Sequence, residues 1–306
     1  MQILNELLDN IVVGPPQVFE EVKVFPLFSS DGKAPAPLLE LDEALEHGLA
    51  EITEESEGGN VPRLTVVNKS DRDLIIYEGQ QLIGAKQNRI VNVTVIVAAN
   101  STLPIPVSCV EQSRWSYTSD SFGSSQNFSY PSLRRTTHSD VSRSQAERGT
   151  ADSNQSKVWS AISAKMRRMR VASPTAAIED MYYSQVPEPK VLTEKFSVAD
   201  NQVGYIAYIK GGFAGSDVYS SANVCRGKME KLIRGYYLDS RDEAVTFDKM
   251  DVNEILREVK TAEHREFATV GKGRERRFET SHVQGSWKEV DGVIPHISIL
   301  PKDGNN

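Results

Sequence analysis

Val203-Gly204-Tyr205-Ile206-Ala207-Tyr208-Ile209-Lys210-Gly211-Gly212-Phe213-Ala214-Gly215-Ser216-Asp217-Val218-Tyr219 sets two largely apolar runs on either side of a Lys-Gly-Gly turn. β-Branched and aromatic residues suit a pleated surface and glycines supply the turn, so this stretch predicts an antiparallel hairpin. Helical spacing follows over 221–237 and again over 252–262. Two further strand pairs close the chain, 266–270 with 276–280 across Gly271-Lys272-Gly273 and 282–289 with 293–300 across Asp291-Gly292. Strands that pair through tight turns, without a helix between each, disfavour a doubly wound parallel sheet. The fold class predicted is α+β, with mostly antiparallel β-sheets and a few packed helices.

Working back from the hairpin, residues 154–170 read as a helix whose last turn is basic (Lys165, Arg167, Arg168, Arg170), which suits the helix dipole. Before it, twelve of the forty-one residues from Ser116 to Ser156 are serine and aliphatic residues nearly vanish. Such a stretch buries little apolar surface against its ordering entropy, so an irregular loop or lid is expected. From Arg63, strands are predicted at 64–68, 74–78, 91–98 and 102–107, separated by turn residues. Nearer the start, the sequence predicts a helix over 2–11, a strand over 18–28, a helix over 38–49 and a solvated acidic turn over 51–60. The chain thus divides into a β-rich half (1–115), the serine-rich segment (116–156) and an α+β half (157–306), the two halves forming one compact unit.

The 306 residues carry 35 basic against 42 acidic side chains, a net charge of −7. That balance gives no general attraction for polyanions, so a long nucleic acid is not an expected partner. Two cysteines exclude a disulfide framework and fit a reducing cytosol. The first ten residues hold acids and no base, unlike a signal peptide, and no apolar run approaches the ~20 residues of a spanning helix. A cytoplasmic protein with no membrane partner is predicted.

Two stretches carry chemistry. In the first, Glu78-Gly79-Gln80-Gln81-Leu82-Ile83-Gly84-Ala85-Lys86-Gln87-Asn88-Arg89-Ile90-Val91-Asn92, glycines permit a close backbone approach and Lys86, Gln87, Asn88 and Arg89 crowd donors suited to phosphate, ribose or amide groups. It is neither a Walker A loop nor a dinucleotide fingerprint. The second, Cys109-Val110-Glu111-Gln112-Ser113-Arg114-Trp115, ends a predicted strand. Strand alternation would put Cys109 and Glu111 on one face as nucleophile and base, although a thiol beside a carboxylate needs a cation such as Lys86 or Arg89 to activate it. Arg114 and Trp115 would clamp or stack on a ring. A buried structural cysteine and a polar hairpin tip are equally open readings of the same residues. His296 lies in an apolar strand, as a core residue or one lining a pocket. None of the five histidines stands in a metal-binding spacing, so no metal cofactor is implied.

Together, Glu78-Gly79 through Asn92 and Cys109 through Trp115 resemble the bacterial ARG and rhodanese-phosphatase-superfamily-associated protein domain family. Arg134 after Leu133, the Gln155…Trp159 helix start, Gly204-Tyr205-Ile206-Ala207 and Ile294-Pro295-His296 fit the same pattern. The resemblance spans nearly the whole chain. It implies a link to NAD or ADP-ribose metabolism and carries no catalytic assignment. The function expected is therefore binding or processing of a small, nucleotide-like anionic ligand. Glu78, Lys86, Gln87, Asn88, Arg89, Asn92, Arg114, Trp115, Arg134 and His296 would contact it, and Cys109 with Glu111 would do any chemistry. The alternative is a non-catalytic structural or interaction module in which the polar motifs form a buried network.

Overall fold

The computed structural model describes residues 2–29, 38–56 and 58–302. The chain opens with α1 (Gln2–Asp9), β1 (Ile11–Val13), β2 (Gln17–Phe19) and β3 (Val22–Ser29), then β4 (Leu39–Glu40) and α2 (Leu41–Glu46). Strands β5 (Ala50–Glu54), β6 (Arg63–Asn68), β7 (Leu74–Ile76), β8 (Gln80–Gly84), β9 (Arg89–Val91), β10 (Val95–Val97), β11 (Ser101–Cys109) and β12 (Phe122–Phe128) follow. Four helices come next: α3 (Pro131–Arg148), α4 (Gln155–Met169), α5 (Ile178–Gln185) and α6 (Pro189–Lys195). The hairpin β13 (Gln202–Ile209) and β14 (Gly212–Tyr219) leads to α7 (Ala222–Ser240) and α8 (Val252–Thr261). The last strands are β15 (His264–Phe267), β16 (Arg274–Glu279), β17 (Val283–Val290) and β18 (Val293–Pro301).

These strands form three sheets. The largest runs β1-β3-β13-β14-β18-β17-β16-β15, with β2 paired to β3. A six-stranded sheet runs β12-β8-β9-β11-β6-β5 and a short one β10-β7-β4. Every ladder is antiparallel except β4 with β7, so the fold is α+β as the turn chemistry predicts. The predicted hairpin is the centre of the large sheet. Its alternation feeds two cores: Tyr205, Ala207 and Ile209 join one with α7, while Ile206 and Tyr208 join another with α1 and α8. Both faces being covered, all of β14 is buried. β3 pairs with β13, so the early strands β1–β3 lie in the same sheet as β15–β18. A third core fills the space between the two smaller sheets. Among the described residues, no helix is long and apolar enough to cross a membrane.

Several local expectations are corrected. The strand over 18–28 is a hairpin, because Glu20 takes a left-handed turn (φ 49°). The helix over 38–49 is confined to Leu41–Glu46. The acidic turn begins with β5, in which Ala50, Ile52 and Glu54 point inward while Glu51 and Thr53 point out; Glu57 of that turn lies outside the described residues. The strand over 91–98 is divided between two sheets as β9 and β10.

The largest correction is the serine-rich segment, which is not irregular: it holds β12, all of α3 and the start of α4. α3 is bounded by Pro131 in its first turn and by Gly149 in the left-handed conformation at its end. Its inward side chains are mostly polar, and each of several has a dedicated partner. His138 meets Glu78, Arg134 meets Asp217, Gln145 meets Glu275, and Ser132 meets Asp239. Composition argues for disorder only when burial must be apolar; here paired hydrogen bonds replace it.

Candidate functional site

The sheet register brings the two motifs together, since Arg89 of β9 pairs directly with Cys109 of β11. The Gln87 side chain joins them further. Its Nε2 donates to the Glu111 carbonyl (2.9 Å), and its Oε1 accepts from Arg89 Nη1 (3.2 Å) and from the Cys109 thiol (3.2 Å). The Glu111 carboxylate accepts from the Asn88 backbone N–H (3.1 Å), Arg114 Nη2 (2.6 Å) and Thr175 Oγ1 (2.8 Å). Arg114 also donates to the carbonyls of Ala85 (2.6 Å) and Gly84 (3.2 Å). Lys86 lies over both Trp115 and Tyr117, 5.2 and 5.1 Å from their ring centres, and Trp115 is half exposed.

The electrostatics of this cluster oppose the nucleophile-and-base reading. Burial pushes the Cys109 thiol up, outweighing the opposite pull of Arg89, and a protonated buried thiol is a weak nucleophile. Burial also acts to raise Glu111, but Arg114, Thr175 and the Asn88 amide together hold it below the ordinary carboxylate value. A carboxylate supplied with three donors is a poor base. Strand alternation does not carry from Cys109 to Glu111, because β11 ends at Cys109 and Glu111 bridges to Ala177 instead.

Glu78, Arg134 and His296 belong to a separate network deep in the molecule. Arg134 donates two parallel hydrogen bonds to Asp217 (2.9 and 2.7 Å). His296 Nε2 also meets Asp217 (3.0 Å), and its Nδ1 meets Thr94 Oγ1 (2.9 Å). The Glu78 backbone N–H donates to the same threonine (3.2 Å), and the Glu78 carboxylate meets His138 Nδ1 (2.9 Å) and Ser286 Oγ (3.2 Å). Burial would raise Glu78, yet His138, Arg277 and Arg134 hold it down at about 2. Lys288 nearby is lowered by burial to about 8. It lines a cavity of about 10 Å³ with Thr94, Glu275, Ser286 and His296, room for about one water. Asn92 stands apart from both groups, bonded to the Ala151 carbonyl and to Ser108.

A roomier opening lies elsewhere. A cleft of about 650 Å³ separates α3 from β15 and β16, with Arg143, Lys157, Arg265, Arg277 and Lys302 set against Asp140, Glu263 and Glu279. Hydroxyls of Thr136, Ser139, Ser142 and Thr280 and the rings of Phe267 and Phe278 complete its walls. A second cleft of about 410 Å³ adjoins it along α3. None of the ten predicted ligand contacts lines either cleft. Of the charged run Arg274-Glu275-Arg276-Arg277 only Arg277 lines the larger cleft, together with Arg143 of α3. Among the described residues, no group of three or more His, Cys, Asp or Glu side chains is arranged to hold a metal ion.

No curated protein and no solved structure matches the chain. The family model of the ARG and Rhodanese-Phosphatase-superfamily-associated Protein domain matches residues 10–300, from the first strand to the last. That span takes in both motif blocks, the buried Arg134–Asp217 network and the polar helix α3. The chain belongs to the ARG and Rhodanese-Phosphatase-superfamily-associated Protein domain family.

Proposed function

We propose that the protein binds a small anionic, nucleotide-like ligand in the cleft between α3 and β15–β16. The observation that carries this reading is five cationic side chains gathered against three carboxylates on a chain whose net charge is −7. Local positive charge on an acidic protein favours a compact anion over a long polyanion. Serine and threonine hydroxyls suit a sugar, and Phe267 offers a ring face. Lys86–Asn92 and Cys109–Trp115 do not line this site: their donors and acceptors are consumed by one another, which supports a structural role for the motifs themselves. ADP-ribose and NAD are the first ligands to test, from the family resemblance. Isothermal titration with both, and with AMP, should give binding that Arg265→Glu and Lys302→Glu weaken. Absence of heat with the folded protein would overturn the proposal.

A further inference from the structure

Most charges lining the larger cleft have partners within the protein. Arg143 and Lys157 share Asp140, and Lys302 pairs with Glu279 (2.6 Å). Arg277 donates to Glu275 (3.0 Å), Ser142 (2.7 Å) and the His138 carbonyl (3.2 Å). Glu263 and Arg265 differ: both are exposed, and neither side chain has a partner among the described residues. Alternation along β15 sorts its side chains. Glu263, Arg265 and Phe267 face the cleft, whereas His264 lies against the Trp287 ring (5.1 Å between centres) and Glu266 meets Arg276 (3.1 Å). The register sets Arg265 directly opposite Arg277, a like-charge pair that costs stability in an antiparallel ladder. An uncompensated cation and an uncompensated carboxylate, two residues apart on one wall, are matched by a ligand that brings an anion to the first and donors to the second.

Resting on the anionic-ligand reading above, we infer that the cleft face of β15 reads three successive parts of a nucleoside diphosphate sugar. Phe267 stacks on the base, Arg265 holds the diphosphate, and the Glu263 carboxylate accepts hydrogen bonds from hydroxyls of the terminal sugar. Same-face neighbours on a strand stand about 6–7 Å apart, so a diphosphate at Arg265 has a ring on one side and a sugar on the other. Glu263 determines specificity. Its charge repels a further phosphate and favours a neutral polyol, which discriminates against a nucleotide that ends in a bare phosphate.

Calorimetric titration of the full chain with three probes tests this: ADP-ribose, the methyl ester of ADP and the aminoethyl ester of ADP. The methyl ester has the charge of ADP-ribose without its second sugar. ADP-ribose should bind about tenfold more tightly than the methyl ester, the gain of one set of charge-assisted hydrogen bonds. Glu263→Ala, at an exposed position, should bring the two within about twofold and leave the methyl ester bound no more weakly than before. Equal binding of ADP-ribose and the methyl ester, both weakened by Arg265→Glu, would overturn the sugar contact and leave the anion cleft standing. Tighter binding of the aminoethyl ester than of ADP-ribose would overturn it in favour of an ammonium group. No binding of any probe would remove the anion cleft as well. In the unliganded protein, Arg265→Gln should keep or raise the melting temperature, since it removes a like-charge pair. A lower melting temperature would show that Arg265 serves the fold and would overturn its assignment to the diphosphate.

Discussion

Arg134 of α3 and Asp217 of β14 form a fully buried, two-bond ion pair that fastens the most polar of the described helices to the middle of the nine-stranded sheet. Asp217 is simultaneously held by His296 and by the Tyr205 hydroxyl, so its charge is shared among three elements. Burial would raise the carboxyl; Arg134 and His296 hold it far below the ordinary range. Removing one partner leaves the other charged and dry. Arg134→Met should therefore cost about 3–5 kcal/mol, read as a lower denaturant midpoint with an unchanged slope. The double variant with Asp217→Asn should recover part of that loss, which a merely space-filling arginine would not allow.

Glu78 gives the acid side of stability a defined window. Its carboxyl lies at about 2 in the folded chain against an ordinary 4.5, so the folded state binds its proton less readily than the unfolded one. The stabilisation is fully present above pH 4.5 and is lost as pH falls through 2. Glu78→Gln should lower stability at pH 7 by on the order of 3 kcal/mol and flatten the acid limb of a stability–pH profile. An unchanged acid limb would show that His138 and Arg277 do not hold this charge.

The motif cluster makes a prediction about heat rather than ligand. Arg89 is completely buried, and Glu111 joins Asn88, Arg114 and Thr175. Glu111→Ala leaves the Arg114 guanidinium and a buried amide short of an acceptor and should cost about 2–4 kcal/mol. Scanning calorimetry reads this as a lower melting temperature. A melting temperature that does not move would return Glu111 to an open ligand site.

Two glycines separate conformational strain from steric conflict. Gly149 and Gly271 both have positive φ (69° and 76°), but a Cβ at Gly149 meets nothing within 4 Å. At Gly271 it would lie 2.1 Å from the Ile96 carbonyl, where the β15–β16 turn bridges to β10. Gly149→Ala should cost about 1 kcal/mol. Gly271→Ala should cost clearly more and loosen the contact between the large and the small sheet, read by hydrogen exchange at Lys272, whose N–H donates to Ile96.

Both cysteines are buried and free, and burial pushes their thiols up, that of Cys225 to about 12. Neither should react with a thiol reagent at neutral pH until denaturant is added. Rapid labelling of one thiol in the native protein, identified as Cys109 by mass spectrometry, would reopen the nucleophile reading.

The sequence spoke clearly where structure is local. The 203–219 hairpin, α7 after Ser221, which caps it through Val224, and the β17–β18 pair all follow from turn residues and periodicity. α3 did not, because its order comes from partners as distant in sequence as Asp217, Glu275 and Glu78. The same limit governed the candidate site. Glu78, Arg134 and His296 were singled out and do meet, but through Asp217, His138 and Thr94, which were not. An aspartate inside the apolar 213–219 run was the available clue. The cleft cations were invisible as a group, being drawn from α3, the start of α4, β15, β16 and the residue after β18.

A helix docked by hydroxyls, amides and ions undocks differently from one held by grease. Leu133 and Val141 are the only large aliphatic side chains on α3. If it lifts away, the helix itself offers little that another chain would stick to, so the excursion should be clean and reversible. Such an excursion would also dismantle one wall of the cleft. Occupancy of that cleft would then be a measure of how many molecules are wholly folded, and whatever fills it would act as a clamp on the least greasy joint in the molecule.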